Sequence, residues 1–214
     1  MRIGILGSGL MGGKLGTIFA RSGHEVVFSY ARSSDKLKRL ARNAKGNARA
    51  GSPEVAVADS DDVLLAVHWS RIPDVLKQAG DFSGKIVVSC SLPMNKADTK
   101  LVVGHASSGA EKLAKMIPKA RIVSAFNTAP SEVLFGVHEA RRKANRPNLV
   151  YCGDDSRSKR VAAELIRDVG FDPVDAGPLR IARYMEPFAL LLAELAYKGK
   201  GGPELAYWFE RLRK

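Results

Sequence analysis

RIGILGSGLMGGKLG, residues Arg2–Gly16, sets the architecture of this chain. Its first part, Arg2–Leu6, is a short apolar run typical of a buried strand, and the residues from Leu10 to Arg21 have helical spacing. Between them lies GSGLMG, a GxGxxG motif at the turn from strand to helix. The first glycine permits the tight turn, the second lets a pyrophosphate approach the backbone, and the third lets helix and strand pack closely. The stretch predicts a dinucleotide-binding βαβ unit with phosphates at the helix N-terminus, the alternative being a glycine-rich turn without a ligand.

Beyond this unit, short apolar runs alternate with segments of helical period, which is typical of a parallel sheet with crossover helices. We expect strands at Arg2–Leu6, Glu25–Ser29, Asp62–Val67, Lys85–Cys90, Arg121–Ala125, Leu149–Cys152 and Phe171–Val174. We expect helices at Leu10–Arg21, Asp35–Asn43, Ser70–Ala79, Ser108–Met116, Ser156–Val169, Ile181–Tyr197 and Glu204–Leu212. The predicted fold is α/β, a Rossmann-type doubly wound parallel sheet with extra edge strands and a small C-terminal helical region. The stretch Ser91–Ser107, rich in small and polar residues, is interpreted as a loop over a site.

The end of the second predicted strand indicates which dinucleotide is bound. An NAD site usually places Asp or Glu there, to accept hydrogen bonds from the ribose 2′-hydroxyl. This chain instead reads SYARSSDK from Ser29 onward, with hydroxyls and cations where a 2′-phosphate would lie. A guanidinium pairs with phosphate through two hydrogen bonds, so we expect Arg32 as the anchor. Ser29 and Ser33 would donate beside it, and Lys36 would add charge. NADP is therefore preferred over NAD, the alternative being an ordinary solvated loop in which Asp35 reaches a ribose hydroxyl.

Composition narrows the class of protein. The 214 residues are 45% apolar and 26% charged, as in ordinary globular proteins. Lys and Arg number 34 against 22 Asp and Glu, and the net charge of +12 favours phosphorylated or carboxylated ligands. No aromatic-interleaved basic motif is present, so we expect no specific nucleic-acid partner. No apolar run reaches the length of a membrane span or signal peptide, so we expect neither membrane insertion nor export. The two cysteines lack CxxC spacing, which indicates no metal site and a cytoplasmic location.

Four stretches together resemble the coenzyme F420 (deazaflavin)-dependent NADP oxidoreductases and their NADPH-dependent reductase relatives. They are GSGLMGGKLG at 7–16, FSYARSSDK at 28–36, SAFNT at 124–128 and CGDDSRSKRVAAELIRDVGFDPVDAGPLRIAR at 152–183. The fold is also similar to the nucleotide domain of membrane ferric reductases. The resemblance implies an NADP-binding Rossmann domain at residues 1–125 and a smaller C-terminal region at residues 126–214. That region would complete an acceptor cleft and form the interface of a homodimer.

The resemblance also implies where each ligand lies. The pyrophosphate site would be Gly7, Ser8, Gly9, Leu10, Met11 and Gly12, and the 2′-phosphate site Ser29, Arg32, Ser33 and Lys36. The nicotinamide would lie near Val67, His68, Trp69 and Ser131. An acceptor ring would stack in a cleft edged by Leu92, Asn127, Thr128, Ala129 and Pro130. The family's deazaflavin enzymes have Pro at the position of His68 and His at the position of Asn127, so a flavin stays open beside F420 as the second substrate.

Three functions remain open at this point. The first is an NADPH-dependent oxidoreductase that passes a hydride between NADP(H) and a flavin-like or deazaflavin (F420) acceptor, for which the protein needs no nucleophile of its own. The second is an NADPH-dependent reductase of a small carbonyl or imine. Its candidate proton donor would be His68, at the carboxyl end of a predicted strand. The third is a non-catalytic NADP(H)-sensing module. We expect Cys90 to be an inert buried thiol.

Overall fold

The computed structural model describes residues 1–31 and 33–212. Its strands are β1 (Arg2–Leu6), β2 (Glu25–Ser29), β3 (Ala48–Ala50), β4 (Asp62–Leu65), β5 (Ile86–Ser89), β6 (Arg121–Ser124), β7 (Asn148–Gly153) and β8 (Asp172–Asp175). Its helices are α1 (Leu10–Arg21), α2 (Ser34–Ala44), α3 (Pro53–Ala58), α4 (Ile72–Ala79), α5 (Gly109–Met116), α6 (Leu134–Glu139), α7 (Ser156–Val169) and α8 (Ala182–Lys198). Each of the predicted strands is present, with its ends shifted by at most a few residues. No helix in the described ranges is long and apolar enough to cross a membrane.

The strands form one sheet in the order β3-β2-β1-β4-β5-β6-β7-β8. The six strands β1 to β6 are parallel, and β7 then runs antiparallel to β6, with β8 parallel to β7. Successive connections reverse direction at β1 and β4, and a sheet of this kind binds its ligand in the crevice at such a point, outside the carboxyl ends of the strands. The predicted doubly wound Rossmann-type fold with extra edge strands is confirmed.

The sheet is buried on both faces. Ile5 of β1 packs into a cluster with Phe19, on α1, whereas its neighbour Leu6 packs into the opposite cluster with Ile72, on α4. Adjacent residues of a strand point to opposite faces, so a strand covered on both sides needs apolar residues at every position. This explains why the predicted strands appear in the sequence as continuous apolar runs.

The C-terminal segment differs from the sequence prediction. The prediction of a helix at Glu204–Leu212 is wrong, because these residues form neither a helix nor a strand. The carbonyl of Tyr207 accepts a hydrogen bond from the Asn148 N–H (2.9 Å), and its phenol accepts one from the Val150 N–H (3.0 Å). The Tyr207 ring also packs edge-on against Phe188, with centroids 5.3 Å apart. These contacts hold the segment beside β7, since a short isolated helix has little stability of its own.

Three elements absent from the sequence prediction complete the fold, namely β3, α3 and α6. Strand β3 contains no β-branched residue and is held by its pairing with β2. Helix α3 begins with a recognisable signal, because the Ser52 hydroxyl accepts a hydrogen bond from the Val55 N–H (3.2 Å) and Pro53 occupies the first turn. Ser followed by Pro is typical of a helix start, so this helix was predictable.

Glu186 joins helix α8 to the start of α5. Its side chain is almost fully buried, and its carboxylate accepts hydrogen bonds from the N–H groups of Gly109 (2.9 Å) and Ala110 (3.0 Å). Burial raises the pKa of Glu186 to about 7, although the two N–H donors act in the opposite direction. The contact therefore fixes the end of the loop that precedes α5 against helix α8.

The raised pKa of Glu186 predicts a specific pH dependence of stability. An unfolded glutamate has a pKa of about 4.3, so the folded state binds the extra proton between about pH 4.3 and about pH 7. The stability associated with this proton is present at low pH and is lost as the pH rises through about 7. Relative to Glu186→Gln, the wild-type free energy of unfolding should fall by about 1–3 kcal/mol from about pH 5 to about pH 8, measured by urea denaturation.

Glu194→Gln is the matched control, because Glu194 is half-exposed on the same helix. Its difference from wild type should stay within about 0.5 kcal/mol across the same range. A difference between wild type and Glu186→Gln that does not change with pH would contradict the assignment.

Candidate functional site

The glycine-rich loop is shaped by close backbone approach. Gly7 has a φ of +105°, and a Cβ there would lie 2.4 Å from the Ala66 carbonyl oxygen. A Cβ at Gly12 would lie 2.0 Å from the carbonyl oxygen of Gly7. Both distances are too short for any side chain, so these two glycines are required to pack β1, α1 and the end of β4 together.

Gly9 differs from the other two glycines, because its missing side chain leaves open space. A Cβ at this position would meet no heavy atom of the described chain within 4 Å. Gly9 is also the N-cap of α1, and no side chain within residues 1–31 and 33–212 caps that helix end. The first N–H groups of α1 are therefore unpaired at the positive end of the helix dipole. This open cradle fits a pyrophosphate, and so the residues present fit the predicted dinucleotide.

A groove of about 860 Å³ runs from this cradle along the carboxyl edge of the sheet. The residues predicted for the cofactor that line it are Gly7, Ser8, Gly9, Leu10, Lys36, Val67 and His68. The groove also has lining residues that the sequence did not single out, including Tyr30, Ser34, Ser52, Arg71 and Gln78. They come from the loops after β2, β3 and β4 and from α4, so their convergence depends on the order of the strands.

The expectation that Ser29 donates to a 2′-phosphate is wrong. Its hydroxyl is fully buried and donates to the carbonyl of Ile5 (2.7 Å), and its own carbonyl accepts from the Gly7 N–H (3.2 Å) and the Ser8 hydroxyl (2.9 Å). Ser29 instead ties β2 to β1 and to the glycine-rich loop. Side chains along a strand point alternately to its two faces. At Ser29, the last residue of β2, the hydroxyl bonds to the neighbouring strand β1 and does not face the groove.

The other residues predicted for the 2′-phosphate site are placed differently from one another. Lys36 lines the groove, whereas the Ser33 hydroxyl accepts a hydrogen bond from the Lys36 N–H (3.3 Å) and so caps α2. Ser34, one residue further on, lines the groove in its place. Arg32, the expected anchor, lies outside the described residues, and its role stays a prediction.

A second cavity of about 320 Å³ adjoins the groove, and Leu10, Ala66, Val67 and His68 line both. The structure brings the predicted acceptor residues together here, with Met11 and Ser131 beside them: Leu92, Asn127, Thr128, Ala129 and Pro130. Their role in binding stays a prediction. Trp69, expected near the nicotinamide, lines neither cavity and packs against the apolar cluster under α4.

Helix α8 and the Ser91–Ser107 loop form the remaining walls of this second cavity. Helix α8 supplies Ala189, Leu192, Ala193 and Tyr197, and the loop supplies Ser91, Leu92, Met94 and Asp98. The loop therefore lies beside the candidate site, as its composition indicated. The sequence marked α8 as a buried helix but carried no signal for the surface that it covers.

Three side chains in this cavity could supply a proton, and each is either hydrogen-bonded to a carboxylate or has a raised pKa. Burial raises the pKa of the Cys90 thiol far above its usual range. The Tyr197 hydroxyl donates to the Glu132 carboxylate (2.9 Å), and burial together with that contact raises the pKa of Tyr197 to about 12. The His68 Nε2 lies 3.1 Å from Asp98 Oδ1. Each of these three groups is therefore paired with a carboxylate or, in the case of the thiol, held protonated by burial.

Asn127 carries an unpaired polar atom at the wall of the cavity. Its side chain is 8% exposed, and its Nδ2 donates to the Ser124 hydroxyl (3.1 Å). Its Oδ1 accepts no hydrogen bond from the residues that the structure describes. A buried amide oxygen without a partner costs about 1–3 kcal/mol.

Comparisons with known proteins agree with this geometry. Residues 2–93 match the family described as NADP oxidoreductase, coenzyme F420-dependent. Metalloreductase STEAP3 of Rattus norvegicus is 32% identical over 191 residues, which cover 89% of this chain and 37% of that protein. A proposed F420-dependent NADP-reductase of Arthrobacter sp. FB24 has the same fold, with a TM-score of 0.86 at 21% identity over 99% of this chain and 100% of that one. A reductive aminase of Aspergillus terreus, in complex with NADPH and ethyl-5-oxohexanoate, has a TM-score of 0.66 at 17% identity over 90% of this chain and 60% of that one.

The chain spans little more than a third of the length of the curated metalloreductases that it matches.

The contrast between Gly9 and Gly12 predicts two different effects of the same substitution. Gly9→Ala should raise the Kd for NADPH about tenfold or more, because the methyl group enters the cradle, while the Tm changes by less than about 2 °C. Gly12→Ala should lower the Tm by several degrees, because its Cβ meets the Gly7 carbonyl oxygen. Fluorescence titration and thermal unfolding measure the two effects. Unchanged NADPH affinity in Gly9→Ala would show that the pyrophosphate lies elsewhere.

Proposed function

Because residues 2–93 of the chain belong to the coenzyme F420-dependent NADP oxidoreductase family, as the sequence predicted, we propose that the protein passes a hydride between NADP(H) and a flavin-like or deazaflavin ring. The observation that carries this proposal is that the groove and the second cavity adjoin at four residues that line both, namely Leu10, Ala66, Val67 and His68. A nicotinamide ring at this junction would lie beside a ring in the second cavity. Hydride transfer needs such contact, because the two reacting carbons must approach to about 3–3.5 Å.

The chain's own residues bind and orient the two ligands. The free N–H groups at the start of α1 would hold the pyrophosphate. Lys36 and Ser34 line the groove and would bind the 2′-phosphate. Val67 and His68 line both cavities and would set the position of the nicotinamide between them. NADPH supplies the hydride, so no protein nucleophile is needed.

The acidic groups of the second cavity favour a conjugated ring over a carbonyl or imine. Reduction of a carbonyl or imine needs a proton at the heteroatom, which a positioned side chain commonly supplies. The candidates here are the thiol of Cys90, the hydroxyl of Tyr197 and the ring of His68, and each is buried or already paired. A flavin or deazaflavin needs no such acid, because its conjugated system holds the charge until water supplies the proton.

The lining of the second cavity supports the same choice of acceptor. Its wall is mostly apolar, with Leu92, Met94 and Leu192 among its residues. An apolar slot of this kind suits a planar conjugated ring. A metal-ion acceptor, suggested by the name of the metalloreductase relative, would also need such a ring in between, since a hydride carries two electrons and ferric iron takes one.

The test is an acceptor panel. The purified protein is mixed with NADPH, and loss of the dihydronicotinamide absorbance is followed with oxidised F420, FMN, FAD, riboflavin and a set of small carbonyls and imines. We expect oxidation with F420 or a flavin, at one NADPH per ring reduced, and none with the carbonyls or imines. Gly9→Ala is the control and should be slow with every acceptor at low NADPH. Turnover only with a carbonyl or imine would refute the ring acceptor, and NADPH binding without turnover would favour a sensing module.

The choice of NADP over NAD is tested at Arg32. Arg32→Ala should weaken NADPH binding about 10- to 100-fold, as expected for lost hydrogen bonds between charged groups, and should leave NADH binding unchanged. Lys38→Ala is the matched control, because Lys38 is exposed on α2 and lies outside the groove lining. An unchanged ratio of the two affinities in Arg32→Ala would rule out the 2′-phosphate assignment.

We also propose that the protein is a homodimer that works in the cytoplasm with small-molecule substrates. The outer side of α8 carries Tyr184, Leu191 and Leu195, each more than half exposed and spaced along one face of the helix. A second copy would cover this apolar stripe, which an isolated monomer leaves in water. The unbridged cysteines Cys90 and Cys152 suit a reducing compartment.

A further inference from the structure

We propose that His68 is a positioning residue that holds a hairpin against the acceptor cavity, and that it does not move a proton in the reaction. The hairpin is defined as residues 93–102. This proposal depends on the proposed function only for the name of the cavity, the acceptor site. The contacts that support it are between residues of the protein and involve no ligand.

The hairpin is held in shape by its own hydrogen bonds. Met94 and Leu101 form an antiparallel bridge, and the Asn95 N–H donates to the Lys100 carbonyl (3.0 Å). The Asn95 side chain closes the turn, since its Oδ1 accepts from the N–H groups of Thr99 (2.8 Å) and Lys100 (3.3 Å). Asp98 lies at the tip. A two-stranded hairpin of this size is only marginally stable on its own, so these hydrogen bonds depend on the contacts of the hairpin with the rest of the protein.

The tautomer of His68 follows from its neighbours. Nδ1 lies 2.8 Å from the Ser70 hydroxyl, which can donate, and 3.2 Å from the Ser70 N–H, which can only donate. Nδ1 therefore accepts, and the ring proton is on Nε2. Nε2 in turn lies 3.1 Å from Asp98 Oδ1 and 3.3 Å from the Asn95 carbonyl oxygen, both of which accept. The contacts of both ring nitrogens therefore indicate the same tautomer. His68 therefore takes a hydrogen bond from the turn after β4 and donates one to the hairpin.

The position of this contact gives it a role in acceptor binding. His68 lines both cavities, whereas Asp98 and Met94 line only the acceptor cavity. With the bond made, the hairpin forms one wall of the acceptor cavity. With the bond broken, the wall is released from the strand end that carries the nicotinamide site. The Nε2–H is directed at the hairpin, so no ring proton is left for a bound substrate.

Two substitutions at His68 separate the positioning role from proton transfer. Asn carries a carbonyl oxygen at about the reach of Nδ1, so His68→Asn keeps the contact with Ser70 and loses the one with Asp98. Gln carries an amide N–H at about the reach of Nε2, so His68→Gln keeps a donor for Asp98. Neither amide is a general acid. Lys96→Ala is the control, because Lys96 is exposed in the same hairpin.

The first readout is hydrogen exchange of the hairpin amides in the free protein, at Asn95, Asp98 and Val102, which are all hydrogen-bonded. His68→Asn should speed exchange there about three- to tenfold, the factor expected for one lost hydrogen bond. His68→Gln should recover most of the protection, and Lys96→Ala should not change it. Unchanged exchange in His68→Asn would overturn the proposal, whether or not any acceptor is found.

The second readout is steady-state kinetics with the acceptor identified above. His68→Asn should raise the KM for the acceptor several-fold with a much smaller change in kcat, and His68→Gln should recover most of that KM. If His68 instead transfers a proton, kcat should fall at least tenfold in both variants, and that result would overturn the proposal. Absence of turnover with every acceptor in wild type would count against the proposed function alone, since the exchange result is independent of it.

Discussion

The contact between Gly12 and the carbonyl of Gly7 is the constraint on which the rest of the site depends. Since no side chain separates them, α1 starts directly at the carboxyl end of β1, with its free N–H groups at the sheet edge. The Ser29 carbonyl and hydroxyl hold the same loop from the side of β2. One strand–turn–helix unit therefore fixes both the place and the polarity of the groove, and the later strands extend an edge that it has already defined.

The acceptor cavity arises from the part of the chain that follows this unit. Antiparallel β7 and its partner β8 widen the sheet and return the chain to α8, which then crosses toward the carboxyl edge. Glu186 attaches α8 to the start of α5, and His68 attaches the hairpin of residues 93–102 to the end of β4. These two walls of the cavity are thus attached to the rest of the protein by polar contacts, in addition to the apolar packing of α8 against the core.

The groove and the acceptor cavity also differ in charge and in chemical character. The net charge of +12 suits a ligand with several phosphates, and the groove combines Lys36 and Arg71 with backbone N–H groups. The acceptor cavity is mostly apolar. Its Tyr197 hydroxyl and His68 ring bond to Glu132 and Asp98, and burial raises the pKa of the Cys90 thiol. This division matches a reaction in which the ligands supply the redox chemistry and the protein supplies position.

Local sequence was enough to predict the strand–turn–helix unit and the order of most elements, and the family resemblance supplied the residues expected around the acceptor cavity. Glycine spacing, helix starts and apolar runs act over a few residues, so they can be read along the chain. Local sequence did not predict that Ser29 bonds to β1 or that Glu204–Leu212 is not helical. It also did not predict which surface of α8 lines the cavity. The Ser29 hydroxyl bonds to Ile5, Tyr207 bonds to β7, and α8 meets loops from three other strands. Each of these depends on hydrogen bonds or packing with residues distant in the chain, and those partners exist only once the sheet has assembled.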